Sequence, residues 1–316
     1  MNSVPIGLGV ALPSRCITNT ELPKELNTSD DWIIQRTGIH QRYVAGDGET
    51  TASLSTEAAR KALANAKIHP QDVDLVVLGT TTGDYTFPAT AVIVQKNLGI
   101  SKGAAFDISA ACSGFVFALD VADSYIKLGK ARCALVIGAD TYSRIVDWSD
   151  RSTCVLFGDG AGALVIQAQE AQNRGLMSCS IHSDGNYSRC LLTSGGVSTT
   201  GSAGSIKMFG QEVFKFAVEK FCESLTEQLI NNHMTIDDVD LLIPHQANSR
   251  IIQKLIEISG IDEKKVLINI SKYANTSAAS IPLALNDVRN AFFSGGNTML
   301  LSMGAGFTWG SALIRL

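Results

Sequence analysis

Short, unbroken apolar runs alternate along the chain with longer stretches in which apolar residues recur every three or four positions. Ala58, Ala59, Ala62, Leu63 and Ala66 share one face of a helix over residues 53–66, because side chains three and four apart stack on the same side of a 3.6-residue turn. Val213, Phe214, Ala217, Val218, Phe221, Leu225 and Leu229 do the same over residues 212–230. Each helix leads into nearly the same strand: residues 72–79 read Asp-Val-Asp-Leu-Val-Val-Leu-Gly, and residues 238–245 read Asp-Val-Asp-Leu-Leu-Ile-Pro-His. A further helix follows each strand, over 91–98 ending at Gly99 and over 249–259 ending at Gly260; glycine just past a helical pattern is a stop signal. Then residues 105–109 are matched by 267–271 as second strands, and 134–138 by 298–302. Residues 1–7 read as an opening strand, with no basic leader ahead of an apolar run. The spacing of roughly 160–166 residues is far too long for a solenoid repeat, and points to one unit duplicated and fused.

Strands that are apolar throughout and alternate with helices are covered on both faces. The pattern predicts a layered α/β fold of two related halves, residues 1–172 and 173–316. Residues 184–210, rich in Gly, Ser and Thr, form the main irregular insertion, and a long loop in a compact protein is more often functional than idle. Composition narrows the function. The 316 residues are 45% apolar and 18% charged, with 26 Lys+Arg against 30 Asp+Glu, a net charge of −4 and a pI near 5.7. That balance excludes general nucleic-acid binding, which rests on phosphate neutralisation by basic residues. No run reaches the length of a membrane-spanning helix. The seven cysteines are scattered with no C-x-x-C, which argues against a disulfide framework or a zinc site and for a reducing, cytoplasmic setting.

In duplicated α/β folds functional groups collect at strand ends where the halves meet. Three loops carry reactive residues there. Cys112 lies in Asp107-Ile-Ser-Ala-Ala-Cys-Ser-Gly-Phe, between a strand and an apolar helix; the positive end of that helix is expected to favour thiolate. His245 ends the second Asp-Val-Asp-Leu strand, in Pro244-His-Gln-Ala-Asn. Asn275 sits in Tyr273-Ala-Asn-Thr-Ser-Ala-Ala-Ser, and counting from Asp107 and Asn269 makes it the counterpart of Cys112, facing it across a pseudo-two-fold axis. Taken singly, these are a core cysteine, a satisfied histidine and a helix cap. Together they form a constellation.

These segments, with Thr28-Ser-Asp-Asp-Trp-Ile, Phe157-Gly-Asp-Gly-Ala-Gly-Ala and Gly304-Ala-Gly-Phe-Thr-Trp-Gly, resemble β-ketoacyl-acyl-carrier-protein synthase III of the thiolase superfamily across essentially the whole chain. The resemblance implies a five-layer αβαβα sandwich of two related halves and a homodimer. It implies decarboxylative Claisen condensation of an acyl-CoA primer, acetyl-CoA in the first instance, with malonyl-acyl carrier protein at the start of fatty acid synthesis. Acyl-CoA is then a substrate, and no cofactor or metal is required. Cys112 would carry the acyl group, and His245 and Asn275 would donate hydrogen bonds to the malonyl-derived enolate. Backbone N–H groups of Cys112, Ala305 and Gly306 would hold the acylation oxyanion; Ala305 stands where many relatives have a third glycine.

The same resemblance places CoA against Thr28, Trp32, Arg36 and Arg151, with Trp32 and Arg151 on either side of adenine. Thr28 and Asp31 supply capping signals for the helix bearing Trp32. Asn248 would meet the pantetheine arm, and Phe209, Gly210 and Phe214 would line its tunnel. The acidic carrier protein needs a local basic patch on a chain of net negative charge. Gln246, Ala247, Asn248, Ser249 and Arg250 match the family's carrier-binding stretch, joined by Lys215 and Lys254, with Lys207, Lys264, Lys265 and Lys272 as further basic candidates. Glu257-Ile258 stands where relatives often have a basic pair. Phe87 would reach toward the partner subunit's acyl pocket. Rival readings fare worse. Gly158-Asp-Gly-Ala-Gly lacks the dinucleotide spacing and a helix behind it. The papain-like context of a Cys-His-Asn set is missing. Elongating ketosynthases use two histidines, and hydroxymethylglutaryl-CoA synthases need an early Glu for which Asp84 is no match. A synthase III paralogue with a different primer remains the alternative.

Overall fold

The computed structural model describes residues Met1–Leu316. The strands are β1 (Asn2–Ala11), β2 (Arg15–Thr18), β3 (Gln41–Val44), β4 (Leu75–Gly79), β5 (Ala104–Ile108), β6 (Cys133–Thr141), β7 (Asp159–Gln169), β8 (Gly175–Ser183), β9 (Leu191–Thr193), β10 (Ile206–Met208), β11 (Leu241–Pro244), β12 (Asn297–Gly304) and β13 (Thr308–Arg315). The helices are α1 (Asp30–Thr37), α2 (Thr51–Ala66), α3 (Thr90–Leu98), α4 (Gly114–Lys127), α5 (Gly210–Asn231), α6 (Ser249–Ser259), α7 (Ile270–Tyr273), α8 (Ser280–Asp287) and α9 (Arg289–Ser294).

Two mixed sheets result, in the orders β1-β7-β6-β4-β5 and β11-β12-β13-β8. Side chains on a strand point alternately to opposite faces, so each strand feeds two cores. In β4, Leu75 and Val77 face a cluster between the sheets, with Phe115 and Leu119 of α4 and Ile281 of α8. Val76 and Leu78 face outward, against Ala58 and Ala62 of α2 and Val94 of α3. In β12, Leu300 joins the middle cluster, while Met299 and Leu301 pack outward on Phe221 of α5 and Ile252 of α6. The layers are therefore α2/α3, sheet, α4/α8, sheet and α5/α6, as the sequence led one to expect. The predicted helix stops hold too: Gly99 and Gly260 both cap in the left-handed region, where glycine has no Cβ to clash.

Three local expectations fail. The cap of α1 is Ser29, whose side chain accepts from the Trp32 N–H, not Thr28 or Asp31. The insertion at 184–210 is not wholly irregular, since β9 and β10 pair within it as an antiparallel ribbon. Residues 267–271 do not form a strand. A single bridge joins Leu242 to Val266, and the chain then turns into α7. The Gln246 side chain takes the place of a neighbouring strand: its Nε2 donates to the Leu267 carbonyl at 3.1 Å, and its Oε1 accepts from the Asn269 N–H at 2.9 Å. A pairing row met by one carboxamide needs no ladder.

That turn alters the register of the repeat. Matching 3-10 turns lie at Ala111–Ser113 and Ser277–Ala279, each opening with a residue at positive φ, 47° at Ala111 and 53° at Ser277. Their separation, 277 − 111, is 166, whereas Asn269 − Asp107 is only 162. The four additional residues are taken up by α7. The counterpart of Cys112 is therefore Ala278, and Asn275 corresponds to Ser109, not to Cys112 as the residue count suggested.

Candidate active site

The turn bearing Cys112, the end of β11 bearing His245 and the loop bearing Asn275 meet between the sheets. All three residues are buried, and all three line one cavity of about 540 Å³. Close packing brings the elements together: Gly114 lies against Gly79, and its Cα side also meets the Ala278 methyl.

Cys112 does sit at the start of a helix, but its thiol is buried deep among protein groups. Burial pushes it up to about 12, reinforced by the nearby Asp140 carboxylate and opposed by the Ser277 and Tyr142 hydroxyls. The expectation of a standing thiolate is thus corrected: desolvation outweighs the helix end, and the resting group is a thiol. Asp140, which sequence reading missed, is itself buried, with its carboxyl pushed above the usual range by desolvation. It accepts from Thr80 Oγ1 at 3.1 Å, the Thr81 N–H at 2.9 Å, Thr82 Oγ1 at 2.8 Å and the Ala278 N–H at 3.4 Å, so it ties the end of β4 to the Ser277 turn. A lone acid in an apolar strand opposite Thr80-Thr81-Thr82 was the available signal.

His245 is held by its backbone N–H on the Leu301 carbonyl at 2.7 Å, and its Nδ1 lies 2.6 Å from Ser280 Oγ. Nε2 has no protein partner. Burial lowers the imidazole from the ordinary 6.5 to about 3, so the ring is neutral. Asn275 is pinned through its backbone, which bonds the Leu156 carbonyl at 2.9 Å and the Gly158 N–H at 3.0 Å. Its Oδ1 accepts from the Ser277 N–H at 2.9 Å. That contact commits the oxygen and leaves Nδ2, a donor, unpartnered. Asn248 repeats the device: its Oδ1 caps α6 through the Arg250 N–H at 2.9 Å, which frees its Nδ2 toward the same cavity.

Gly304 backs directly onto the Cys112 and Ser113 amides, where any side chain would collide with them. Neither Ala305 nor Gly306 spends its N–H on another protein group, and Ala305 keeps an ordinary negative φ while Gly306 is at +137°. The loss of a third glycine therefore leaves the turn's donors intact.

At the mouth, the Arg36 guanidinium lies 4.6 Å and that of Arg151 5.5 Å from the Trp32 ring centre, so two cations gather at one aromatic ring. Trp32, Arg36, Arg151, Gly210, Phe214 and Asn248 all line the cavity, whereas Thr28 and Phe209 do not; Phe209 is 59% exposed. The wall also includes Leu156, Phe157, Leu191, Met208 and Met303, unremarkable apolar residues that no motif singles out.

Of the basic candidates, Arg250, Lys215 and Lys264 are exposed and form no ion pair, with Arg250 stacked 6.0 Å from the Phe214 ring centre. Lys254 is held by Glu257 at 2.8 Å, Lys272 by Asp287 at 3.0 Å and Lys207 by Asp147 at 3.9 Å. Lys265 donates to the Asp237 carbonyl. Ala247 and Ser249 are half-buried beside Asn248. Gln246 is removed from the carrier-binding set, since it is only 1% exposed and fully occupied inside. Phe87 is 84% exposed, away from the cavity of its own chain.

A family model described as 3-oxoacyl-[acyl-carrier-protein] synthase III matches residues 106–185, and the model for its C-terminal part matches residues 229–316. The chain is 52% identical over 323 aligned positions to β-ketoacyl-[acyl-carrier-protein] synthase III of Agrobacterium fabrum, covering 100% of this chain and 99% of that one. Among solved structures, 3-oxoacyl-[acyl-carrier-protein] synthase III from Aquifex aeolicus matches with a TM-score of 0.94 at 45% identity, over 99% of this chain and 100% of the other. The priming β-ketosynthase of the R1128 polyketide pathway matches with a TM-score of 0.92 at 32% identity, over 99% and 96% of the two chains.

Proposed function

The chain belongs to the β-ketoacyl-acyl-carrier-protein synthase III family, the thiolase-fold condensing acyltransferases of fatty acid synthesis, and from that membership we propose how its residues divide the reaction. The Cys112 sulfur attacks the thioester carbonyl of acyl-CoA. The oxyanion that forms is met by N–H groups of Cys112 and of the Ala305-Gly306 turn. Collapse expels CoA, whose sulfur takes up the proton given by the thiol. Malonyl-acyl carrier protein then enters along the same cavity and loses CO2. The negative charge arriving on its thioester oxygen is met by His245 Nε2–H and Asn275 Nδ2–H, and the carbanion carbon attacks the acyl-Cys112 carbonyl; collapse breaks the carbon–sulfur bond, releasing 3-oxoacyl-acyl carrier protein, and the departing Cys112 thiolate takes a proton from water. Donors fixed in a dry site before the charge appears need no reorganisation.

One observation carries this division: two oriented donors and a cysteine share a cavity in which burial has lowered the histidine to about 3. So weak a base suits hydrogen-bond donation, not proton abstraction. Trp32, Arg36 and Arg151 receive the nucleotide end of CoA, and Asn248 the pantetheine arm. Thr28 and Phe209 serve at most the rim. Arg250 and Lys215 meet the acidic carrier, with Ala247, Asn248 and Ser249 beneath them. The primer is acetyl-CoA, the short acyl group that the family reading implies. The enzyme works as a homodimer in which exposed Phe87 and Tyr85 cross to the partner. The halves divide at 172/173, between β7 and β8. Seven free cysteines suit a reducing cytoplasm, and no helix is long and apolar enough to cross a membrane.

Mass spectrometry of the intact chain, paired with CO2 release, tests the division. His245→Ala and Asn275→Ala should still load an acetyl group while malonyl decarboxylation falls about 100-fold or more, and Cys112→Ala should not load at all. Equal loss of loading and decarboxylation in the His245 and Asn275 variants would overturn the separation of roles.

A further inference from the structure

Ser280 opens α8 and is 2% exposed. Its hydroxyl has a single partner, His245 Nδ1 at 2.6 Å. Two proton arrangements fit that distance. If Nδ1 carried the ring proton and donated, the serine proton would be left in a packed interior without an acceptor, at the cost of an unmade buried hydrogen bond. If Ser280 donates, both groups are satisfied, and the one proton of a neutral imidazole must reside on Nε2.

The duplication supplies an independent observation. At the separation of 166 found for the two 3-10 turns, His245 corresponds to Gly79 and Ser280 to Gly114, since 245 − 79 and 280 − 114 both equal 166. In the first half these two glycines touch, and a Cβ on Gly79 would overlap the Gly114 backbone. In the second half the same strand-to-helix junction is opened by two side chains, and they bond to each other. The contact at this junction has been exchanged from backbone packing to an oriented hydrogen bond at the one strand end that faces the cavity with an imidazole.

We propose that Ser280 is a positioning residue that fixes His245 as the Nε2–H tautomer, so that its donor faces the substrate. The assignment rests on the reading of His245 as a donor to the enolate oxygen. It explains why a histidine too weakly basic to hold a second proton still presents an N–H where one is needed. It also separates two tasks within the site: Cys112 acylation does not use Ser280, and malonyl decarboxylation does.

The test uses the full chain with 15N-labelled histidine, as wild type, Ser280→Ala and His245→Ala, the last identifying the resonances. Wild type should show the non-protonated nitrogen of His245 at Nδ1. Ser280→Ala should show that signal lost or shared with Nε2. Its condensation rate should fall about 10- to 100-fold, the loss seen when a partner orienting an imidazole is removed. Acetyl loading from acetyl-CoA should stay within twofold of wild type, which also reports that the variant is folded. A Ser280→Ala chain that keeps a pure Nε2–H tautomer, or loses loading as much as condensation, overturns the proposal. If His245→Ala decarboxylates malonyl groups at the wild-type rate, the donor reading itself falls. If His245→Ala is inactive while Ser280→Ala is unaffected, only the assignment to Ser280 falls.

Discussion

A buried histidine changes how stability depends on pH. Folded, His245 takes up a second proton only near 3; unfolded, it does so near the ordinary 6.5. Between those values the unfolded chain binds the additional proton, so acidification draws the equilibrium toward unfolding, by up to roughly 1.4 kcal/mol for each pH unit. His245→Gln removes that contribution. Urea midpoints measured from pH 7 to pH 5 should therefore fall less steeply in the variant than in wild type; parallel curves would show that the ring titrates normally. The same burial explains the resting thiol at Cys112, so both reacting groups are uncharged until substrate arrives.

At the scale of elements, Gln246 holds the second half's missing strand together. Gln246→Ala would strand the Leu267 carbonyl and the Asn269 N–H in the interior, a loss of about 1–3 kcal/mol. A melting temperature lowered by several degrees, with KM for the malonyl carrier unchanged, is the expected result; a raised carrier KM at unchanged stability would return Gln246 to the docking surface. This is also where the sequence ceased to be readable. Apolar periodicity located the helices and strands, because burial on one or both faces imposes it. Cys112 and His245 were legible because each follows a strand of the repeat, and Asn275 because its loop carries a motif of its own although the strand expected before it is absent. The register between the halves was not, since α7 has no periodicity of its own and the side chain replacing a ladder is an ordinary glutamine. Asp140 escaped for a related reason: its partners are hydroxyls and amides of two loops far apart in the chain. The thiolate expectation failed because a helix start is visible in sequence and desolvation is not.

Across the whole molecule, few of the basic residues proposed to meet an acidic carrier are free of an acidic partner. With net charge −4, Lys254 tied to Glu257 and Lys272 tied to Asp287, the proposed docking falls to the exposed candidates with no ion pair, Arg250, Lys215 and Lys264. Glu257→Lys frees Lys254 and adds a cation on the same helix. KM for the malonyl carrier should drop several-fold at low salt and return toward wild type as salt screens the patch, with KM for acyl-CoA unmoved. No change, or an equal change for both substrates, would place the carrier elsewhere.

The backbone bridge between Phe157 and Asn275 has a consequence for redesign. Phe157 and Leu156 wall the chamber, yet the short segment they belong to, just ahead of β7, is also what clamps the carboxamide's main chain. Widening the room for bulkier fatty fragments by carving at these positions would slacken that clamp, so breadth of appetite and pace of turnover are bound into one piece of scaffold and will trade against each other.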